Sequence, residues 1–358
     1  MFRHQDATRA APPLRTRITE LLGIEHPILA GGLMWLSDAR YVAALARAGA
    51  MAFITPRSFD GPDAYRAALR DCSRMAGGRP FGVNITQSRR AAENAMVPAW
   101  IDMALEHGVR CFETVGPSPG RLIERIHAGG AKAIHKSAFV EHALKAEHAG
   151  ADAVALVGAE AGGHPGTNEL SAFVCGALAL QRLTVPLALG GGIGDGRQIA
   201  AALALGADAV VMGTRFLVSE EIWAHENYKR HLVRQPAEAS TLAMRASGNP
   251  WRVLDNATVR DIERLEQQGA RQYAEFGALA TGRLGRDYCY RQGDWNTGLL
   301  SMGPAIGFAD AIEPAASIVT RLMTQATQAA SRLASMSGPV PAHGAGAVFA
   351  SRTRETTA

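Results

Sequence analysis

Short apolar runs alternate with longer Ala-rich stretches along most of the chain. Each run has only three to five residues, and the stretches between them carry apolar residues at helical spacing. The runs predict eight strands, at Pro27–Ala30, Met51–Thr55, Phe81–Ile85, Arg110–Thr114, Ala131–His135, Ala153–Val157, Leu187–Leu189 and Ala209–Met212. The stretches predict helices at Asp38–Ala48, Ala64–Met75, Pro98–His107, Pro119–Ala128, Ser137–Ala149, Ala172–Leu183 and Gly196–Leu205.

Strands that alternate with helices in this way are typical of an α/β fold with a parallel sheet. Eight such units in about 190 residues favour a closed (β/α)8 TIM barrel over an open doubly wound sheet, which is the alternative. In such a barrel the active site lies on the loops that follow the carboxyl ends of the strands. We therefore expect the chemistry of this protein in those loops.

The alternation stops after the eighth strand. The next segment carries two helical patterns, Glu220–Arg234 and Thr258–Phe276, and predicts a mainly helical insertion or cap. A last helix is predicted at Ala311–Ala334, packed back on the barrel. The predicted organisation is a barrel of residues 17–216 and 301–336, a cap of residues 217–300, and flexible tails at 1–16 and 337–358.

Composition changes this picture little. The 358 residues are 47% hydrophobic and 20% charged, which is typical of a globular protein. A net charge of +4 spread along the chain does not indicate nucleic-acid binding, and four scattered cysteines do not indicate a zinc or disulfide framework. Because the chain has neither an apolar run of about 18 residues nor the apolar core of a signal peptide, we expect a cytoplasmic protein that spans no membrane.

Glycine-rich loops follow the last two predicted strands. Gly190, Gly191 and Gly192 come after the seventh strand, and Gly213 and Thr214 come after the eighth. Free backbone N–H groups in such loops bind phosphate in this fold, and glycine lets the ligand approach closely. Tight turns alone would explain either loop, but both together predict a phosphate site.

Other strand ends supply polar side chains. His164 lies in a Gly-Gly-His-Pro-Gly loop after the sixth strand, where it can approach a ligand and act as a base at carbon. Lys136 ends the fifth strand as a candidate cation beside an anionic ligand. Asn84 and Thr86, at the end of the third strand, could bind a cofactor edge, although a purely structural role for them is equally compatible with the sequence.

Six segments together carry a resemblance to a known family. They are PILAGGLMW, FGVNIT, AIHK, EAGGHPG, LALGGGIGDGRQIAAALALGADAVVMGTRF and GLLSMGPAIGFADAI. The chain resembles the nitronate monooxygenase (2-nitropropane dioxygenase) family of TIM barrels over roughly residues 17–330. The resemblance implies FMN as the cofactor, with flavin-binding residues Gly31, Gly32, Leu33, Asn84, Thr86, Lys136, Gly162, Gly163, Gly190, Gly191, Gly192, Gly213, Thr214, Met302 and Gly303.

The same resemblance implies a reaction. FMN and O2 would oxidise alkyl nitronates or nitroalkanes to a carbonyl compound and nitrite, with His164 as the catalytic base. The GGLMW and GGHPG segments are also similar to the branch that contains NAD(P)H:quinone reductases, and enoyl-thioester reductases share the barrel. An FMN-dependent reductase that takes electrons from NAD(P)H is therefore the alternative. The expected partners are small-molecule substrates and O2, and a homodimer is a further expectation.

Overall fold

Eight parallel strands close into a barrel, as the sequence predicts. The structure is a computed structural model that describes residues 14–88, 90–117 and 119–336, so the predicted tails fall outside it except for residues 14–16. The strands follow one another around the barrel in chain order, and the first pairs with the last. They are β1 Ile28–Ala30, β2 Met51–Ile54, β3 Gly82–Thr86, β4 Cys111–Val115, β5 Lys132–Ser137, β6 Ala153–Val157, β7 Leu187–Gly190 and β8 Ala209–Met212.

Every predicted strand is confirmed, with its ends shifted by no more than two residues. The helices surround the barrel and form part of the cap. The α-helices are α1 Arg17–Leu22, α2 Ala39–Arg47, α3 Pro62–Ala76, α4 Val97–Glu106, α5 Gly120–Ala128, α6 Val140–His148, α7 Ala172–Leu180, α8 Gly196–Leu205, α9 Glu226–Leu232, α10 Ala257–Gln267, α11 Gly282–Leu284 and α12 Ala315–Met336. Short 3₁₀ turns include Pro56–Ser58, Ala91–Asn94, Thr214–Val218, Ala237–Ala239, Arg245–Ser247, Tyr273–Ala280 and Pro304–Phe308.

Alternate strand residues point into the barrel and outwards to the helices. On β2, Met51 and Phe53 belong to the barrel interior, whereas Ala52 and Ile54 pack in the layer under the helices. The N-terminal helix α1, which the sequence pattern did not predict, adds Ile18 to the interior cluster. This helix therefore closes the end of the barrel opposite the functional loops.

The cap contains a two-stranded antiparallel sheet beside its helices. Its strands are β9 Ser240–Ala243 and β10 Trp251–Leu254, and neither was predicted. The predicted helix at Thr258–Phe276 is wrong in its second half, because α10 ends at Gln267 and Gly269 follows with φ of 106°. The cap has its own small apolar cluster, which joins the hairpin to α10.

The last helix packs across the barrel surface. α12 lies against α8 and α2, and a Cβ on Gly196 would come within 2.0 Å of the Leu322 carbonyl oxygen. Glycine at this position therefore allows the close approach of α8 and α12. In the part of the chain that the structure describes, no helix combines the length and the apolar character that crossing a bilayer requires.

A buried histidine between strand and helix predicts acid sensitivity. His135 on β5 faces the helices, with Nδ1 3.0 Å from Thr114 Oγ1, and burial lowers its pKa to about 4. The unfolded chain, with a histidine pKa near 6.5, binds the proton more readily, so stability falls as pH drops from about 6.5 towards 4. Between pH 7.5 and 4.5 we expect protonation of His135 to remove unfolding free energy on the order of 2 kcal/mol.

Urea denaturation at both pH values checks this expectation. His135→Gln should lose less stability on acidification than the parent chain, because no buried imidazole remains to be protonated. His148→Gln, on the exposed end of α6, is the matched control and should behave as the parent. Equal acid losses in the parent and in His135→Gln would contradict the assignment.

Candidate active site

A deep cavity opens at the carboxyl ends of the barrel strands, under the cap. Its volume is about 640 Å³, and loops after most of the strands line it. The predicted site residues on its wall are Gly31, Gly32, Leu33, Asn84, Thr86, Lys136, Gly162, Gly163, His164, Gly191, Gly192, Gly213 and Thr214. Residues that are far apart in the sequence therefore meet in one place.

The two glycine-rich loops carry unused backbone donors. Gly191 and Gly192 adopt φ of 109° and 71°, which glycine tolerates and other residues rarely adopt. Within the described ranges, no hydrogen-bond partner is found for the backbone N–H groups of Gly191, Gly192 or Gly213. Unpaired donors of this kind, converging on a cavity wall, form a binding site for an anion such as phosphate.

The helix α8, which follows the first glycine-rich loop, already has a carboxylate of the chain itself at its N-terminus. The N-terminus of α8 is capped by its own Asp195 side chain, which also forms an ion pair with Arg197. The 3₁₀ turn that starts at Thr214 has no side-chain cap at its N-terminus. The donors for an anion are therefore the loop amides and the start of this turn.

Thr214 links the anion site to the late segment of the chain. Its Oγ1 accepts a hydrogen bond from the Gly303 N–H at 2.9 Å, so the hydroxyl proton is left to donate to a ligand. A Cβ on Gly162 would approach the Gly303 nitrogen to 2.8 Å. Gly303 thus supports the wall from behind, because the glycine at position 162 lets the two segments touch.

His164 presents one free ring nitrogen to the cavity. Its Nδ1 lies 3.1 Å from the carbonyl oxygen of Pro250, and a carbonyl can only accept, so Nδ1 carries the proton. Nε2 is then the unprotonated nitrogen, available as a base. The residue is exposed to the cavity, but the protein nearby displaces water from the imidazole and lowers its pKa below the ordinary value of 6.5. The ring is therefore neutral at neutral pH.

The cap hairpin holds the histidine loop in place. Arg252 on β10 exchanges both backbone hydrogen bonds with Gly163, at N···O distances of 3.0 and 2.6 Å. Trp251 packs against His164 with ring centroids 4.8 Å apart and ring planes inclined by 35°, and its indole N–H donates to Ser301 Oγ at 2.8 Å. The imidazole is thus oriented by the cap as well as by its own loop.

A chain of polar side chains crosses the opposite wall. Thr86 Oγ1 donates to Asn84 Oδ1 at 3.0 Å, and Asn84 Nδ2 donates to the carboxylate of Glu113. The Lys136 ammonium donates to the same carboxylate at 2.9 Å. This network fixes the side-chain orientations of Asn84 and Lys136 where they reach the cavity.

Three predicted site residues do not form the cavity wall. Gly190 is buried within β7, where a Cβ would approach Val211 to 2.8 Å. Met302 is fully buried, and Gly303 lies behind Thr214. These three residues therefore lie just outside the cavity lining.

Several residues of the site were missed by sequence reasoning. Glu113 carried a usable signal, since it is a charged residue inside an otherwise apolar strand. Trp251 carried none, because the cap brings it to the barrel from a distant position in the chain. Arg57, Glu160 and Ile193 also line the cavity without having been predicted.

The fold and the site define a class of protein. The (β/α)8 barrel has an anion-binding cradle, a cation and a neutral histidine around one cavity at its catalytic end. This arrangement is typical of a cofactor-dependent enzyme. The nitronate monooxygenase family model matches residues 15–325, and the chain belongs to that family. Its relatives are oxidoreductases, and the family is one of flavin enzymes.

Similar proteins carry more than one activity name. The chain is 32% identical over 250 residues to (3aS,4S,5R,7aS)-5-hydroxy-7a-methyl-1-oxo-octahydro-1H-indene-4-carboxyl-CoA dehydrogenase of Rhodococcus jostii, covering 70% of this chain and 68% of that protein. It is 31% identical to nitronate monooxygenase of Pseudomonas aeruginosa, covering 67% and 80%. The solved structure of FabK from Thermotoga maritima superposes with a TM-score of 0.82 and 32% identity, over 90% of this chain and 99% of that one.

Proposed function

We propose that this protein is an FMN-dependent oxidoreductase that oxidises nitroalkanes and their nitronates with O2 to a carbonyl compound and nitrite. The observation that carries the proposal is the neutral His164, whose free Nε2 faces the same cavity as the anion cradle. A base that is unprotonated at neutral pH can remove a proton from carbon next to an electron-withdrawing group. The nitro group is such a group.

The residues present fit a flavin mononucleotide. The unpaired amides of Gly191, Gly192 and Gly213, with the Thr214 hydroxyl, would hold the phosphate. The ring system would lie against the residues of the opposite wall, which are Gly31, Gly32, Leu33, Asn84, Thr86 and Lys136. When bound, FMN supplies the electron acceptor for the substrate and the donor to O2.

The chain's own groups handle the proton and the charge. His164 Nε2 would take the α-proton of a neutral nitroalkane, and the Pro250 carbonyl would stabilise the charged ring through Nδ1–H. Trp251 would keep the ring aligned and exclude water from one face. A nitronate has already lost this proton, so His164 would only position it.

An acyl-thioester oxidoreductase that uses NAD(P)H is the second candidate. Large apolar and aromatic side chains line part of the cavity, among them Met34, Trp35 and Trp251. Such a wall can accept a bulkier substrate than a small nitronate. The CoA dehydrogenase named among the relatives supports the same direction. Quinone reduction by NAD(P)H is a related variant of this candidate.

Anaerobic reduction of the purified, FMN-loaded protein tests the proposal. NADH, NADPH and propyl nitronate are added separately, and the flavin absorbance band is followed. We expect the band to bleach with propyl nitronate and to persist with both pyridine nucleotides. Fast bleaching by NADH or NADPH, with none by nitronate, would overturn the proposal in favour of the second candidate.

A further inference from the structure

A carboxylate lies inside the barrel just behind the cavity wall. Glu113 on β4 is fully buried, and one oxygen, Oε2, accepts from both Lys136 and Asn84. No partner for its other oxygen, Oε1, is found among the residues that the structure describes. The sequence motifs of the site did not include this residue.

Stability alone does not explain this carboxylate. Burying a charged group costs free energy, and an ion pair in a protein interior is often no more stabilising than apolar side chains of the same size. Below Glu113, the barrel interior is apolar, with Phe53, Cys111 and Ile134 in one cluster. An apolar residue on β4 would continue that packing, so the charge of Glu113 must act on a neighbouring group.

Lys136 is that group. Its side chain is 20% exposed on the cavity wall, whereas the Glu113 side chain is 0% exposed, 2.9 Å behind the ammonium. A ligand in the cavity therefore meets the lysine first and the carboxylate only through it. Since Asn84 holds Glu113 from β3, the carboxylate fixes the position of the Lys136 Nζ.

We infer that Glu113 is a positioning residue that holds Lys136 against the flavin and balances its charge, so that the pair sets the flavin reduction potential. The inference rests on the proposed FMN site. Reduction places negative charge on the flavin ring, and an unbalanced lysine cation would favour that charge. With its counter-charge in place, the pair is neutral overall and the potential stays lower.

Two variants separate this role from a structural one. Glu113→Gln keeps the shape and removes the counter-charge, and we expect the equilibrium constant for flavin reduction to rise at least about tenfold, or about 30 mV for two electrons. The double variant Glu113→Gln/Lys136→Met removes both charges and should return to within about threefold of the parent. The reduction potentials of the parent and of both variants are measured on the FMN-loaded proteins by equilibration with a reference dye.

The control disrupts an ion pair that lies away from the site. Asp208→Asn weakens the pair between Asp208 and Arg17 at the opposite end of the barrel and should leave the potential unchanged. An unchanged potential in Glu113→Gln, or a double variant that stays as high as Glu113→Gln, would overturn the inference. Failure of the parent protein to bind FMN would instead overturn the proposed function.

A further variant covers the case in which Glu113→Gln does not fold. Glu113→Asp keeps the charge but withdraws the carboxylate from the Lys136 Nζ by one methylene. We then expect a smaller rise of the reduction equilibrium, at least about threefold, because the lysine charge is less well balanced. No rise in this variant would overturn the inference.

Discussion

Replacing Gly213 by leucine should abolish FMN binding and leave the barrel folded. Gly213 has φ of −125°, which lies outside the left-handed range that favours glycine. A Cβ at this position would have one close neighbour, Leu33 at 3.3 Å, so the new side chain would extend into the anion cradle. Two or more hydrogen bonds to a charged phosphate would be lost, at about 1.5–3 kcal/mol each. We expect FMN affinity to fall at least about hundredfold.

Flavin content, FMN titration and circular dichroism together measure this effect. Gly120→Leu, at the first turn of α5, is the matched control, because among the described residues a Cβ there meets only Ala149, at 3.9 Å. The control should keep its yellow colour, and Gly213→Leu should be colourless with the same spectrum in the far ultraviolet. A folded Gly213→Leu protein with undiminished FMN affinity would show that this loop does not bind the phosphate.

The barrel was predictable because each strand is a local pattern. Runs such as Ala153–Val157 and Ala209–Met212 are bounded by glycine turns, and their predicted ends coincide with β6 and β8. The glycine loops and His164 were found for the same reason, since the topology of the fold places the ends of consecutive strands at one face. The local pattern and the fold topology were therefore sufficient to predict that the glycine loops and His164 lie at one face.

The other half of the site depends on long-range contacts that no local pattern encodes. The hairpin of β9 and β10 pairs with Gly163 across about 90 residues of sequence, so Trp251 could not be assigned to His164 beforehand. The contact between Gly303 and Thr214 could not be predicted from a local pattern either. Glu113 differs, because its charge in an apolar strand was visible but its partner Lys136 was identified only by the register of β4 and β5.

Replacing His164 by alanine should slow turnover of neutral nitroalkanes about 10²- to 10⁴-fold, the usual contribution of a general base. Turnover of the matching nitronates should fall less than about tenfold, because they need no proton removal. The difference between the two substrates follows from the free Nε2 of a neutral ring that Pro250 and Trp251 orient. Since the pKa of His164 is lowered, the acid limb of the nitroalkane profile in the parent should lie below pH 6.5.

Steady-state assays on nitroethane and ethyl nitronate, at equal FMN loading, give this comparison. Trp251→Leu is the matched variant, because it keeps the base and removes the ring contact at 4.8 Å. It should also lower nitroalkane turnover, but by less than His164→Ala does. Added imidazole should partly restore His164→Ala on nitroethane, since a free base can occupy the vacated space, and should not restore Trp251→Leu. Equal losses on both substrates, without rescue, would show that His164 binds the substrate and removes no proton, because only proton abstraction distinguishes the two forms.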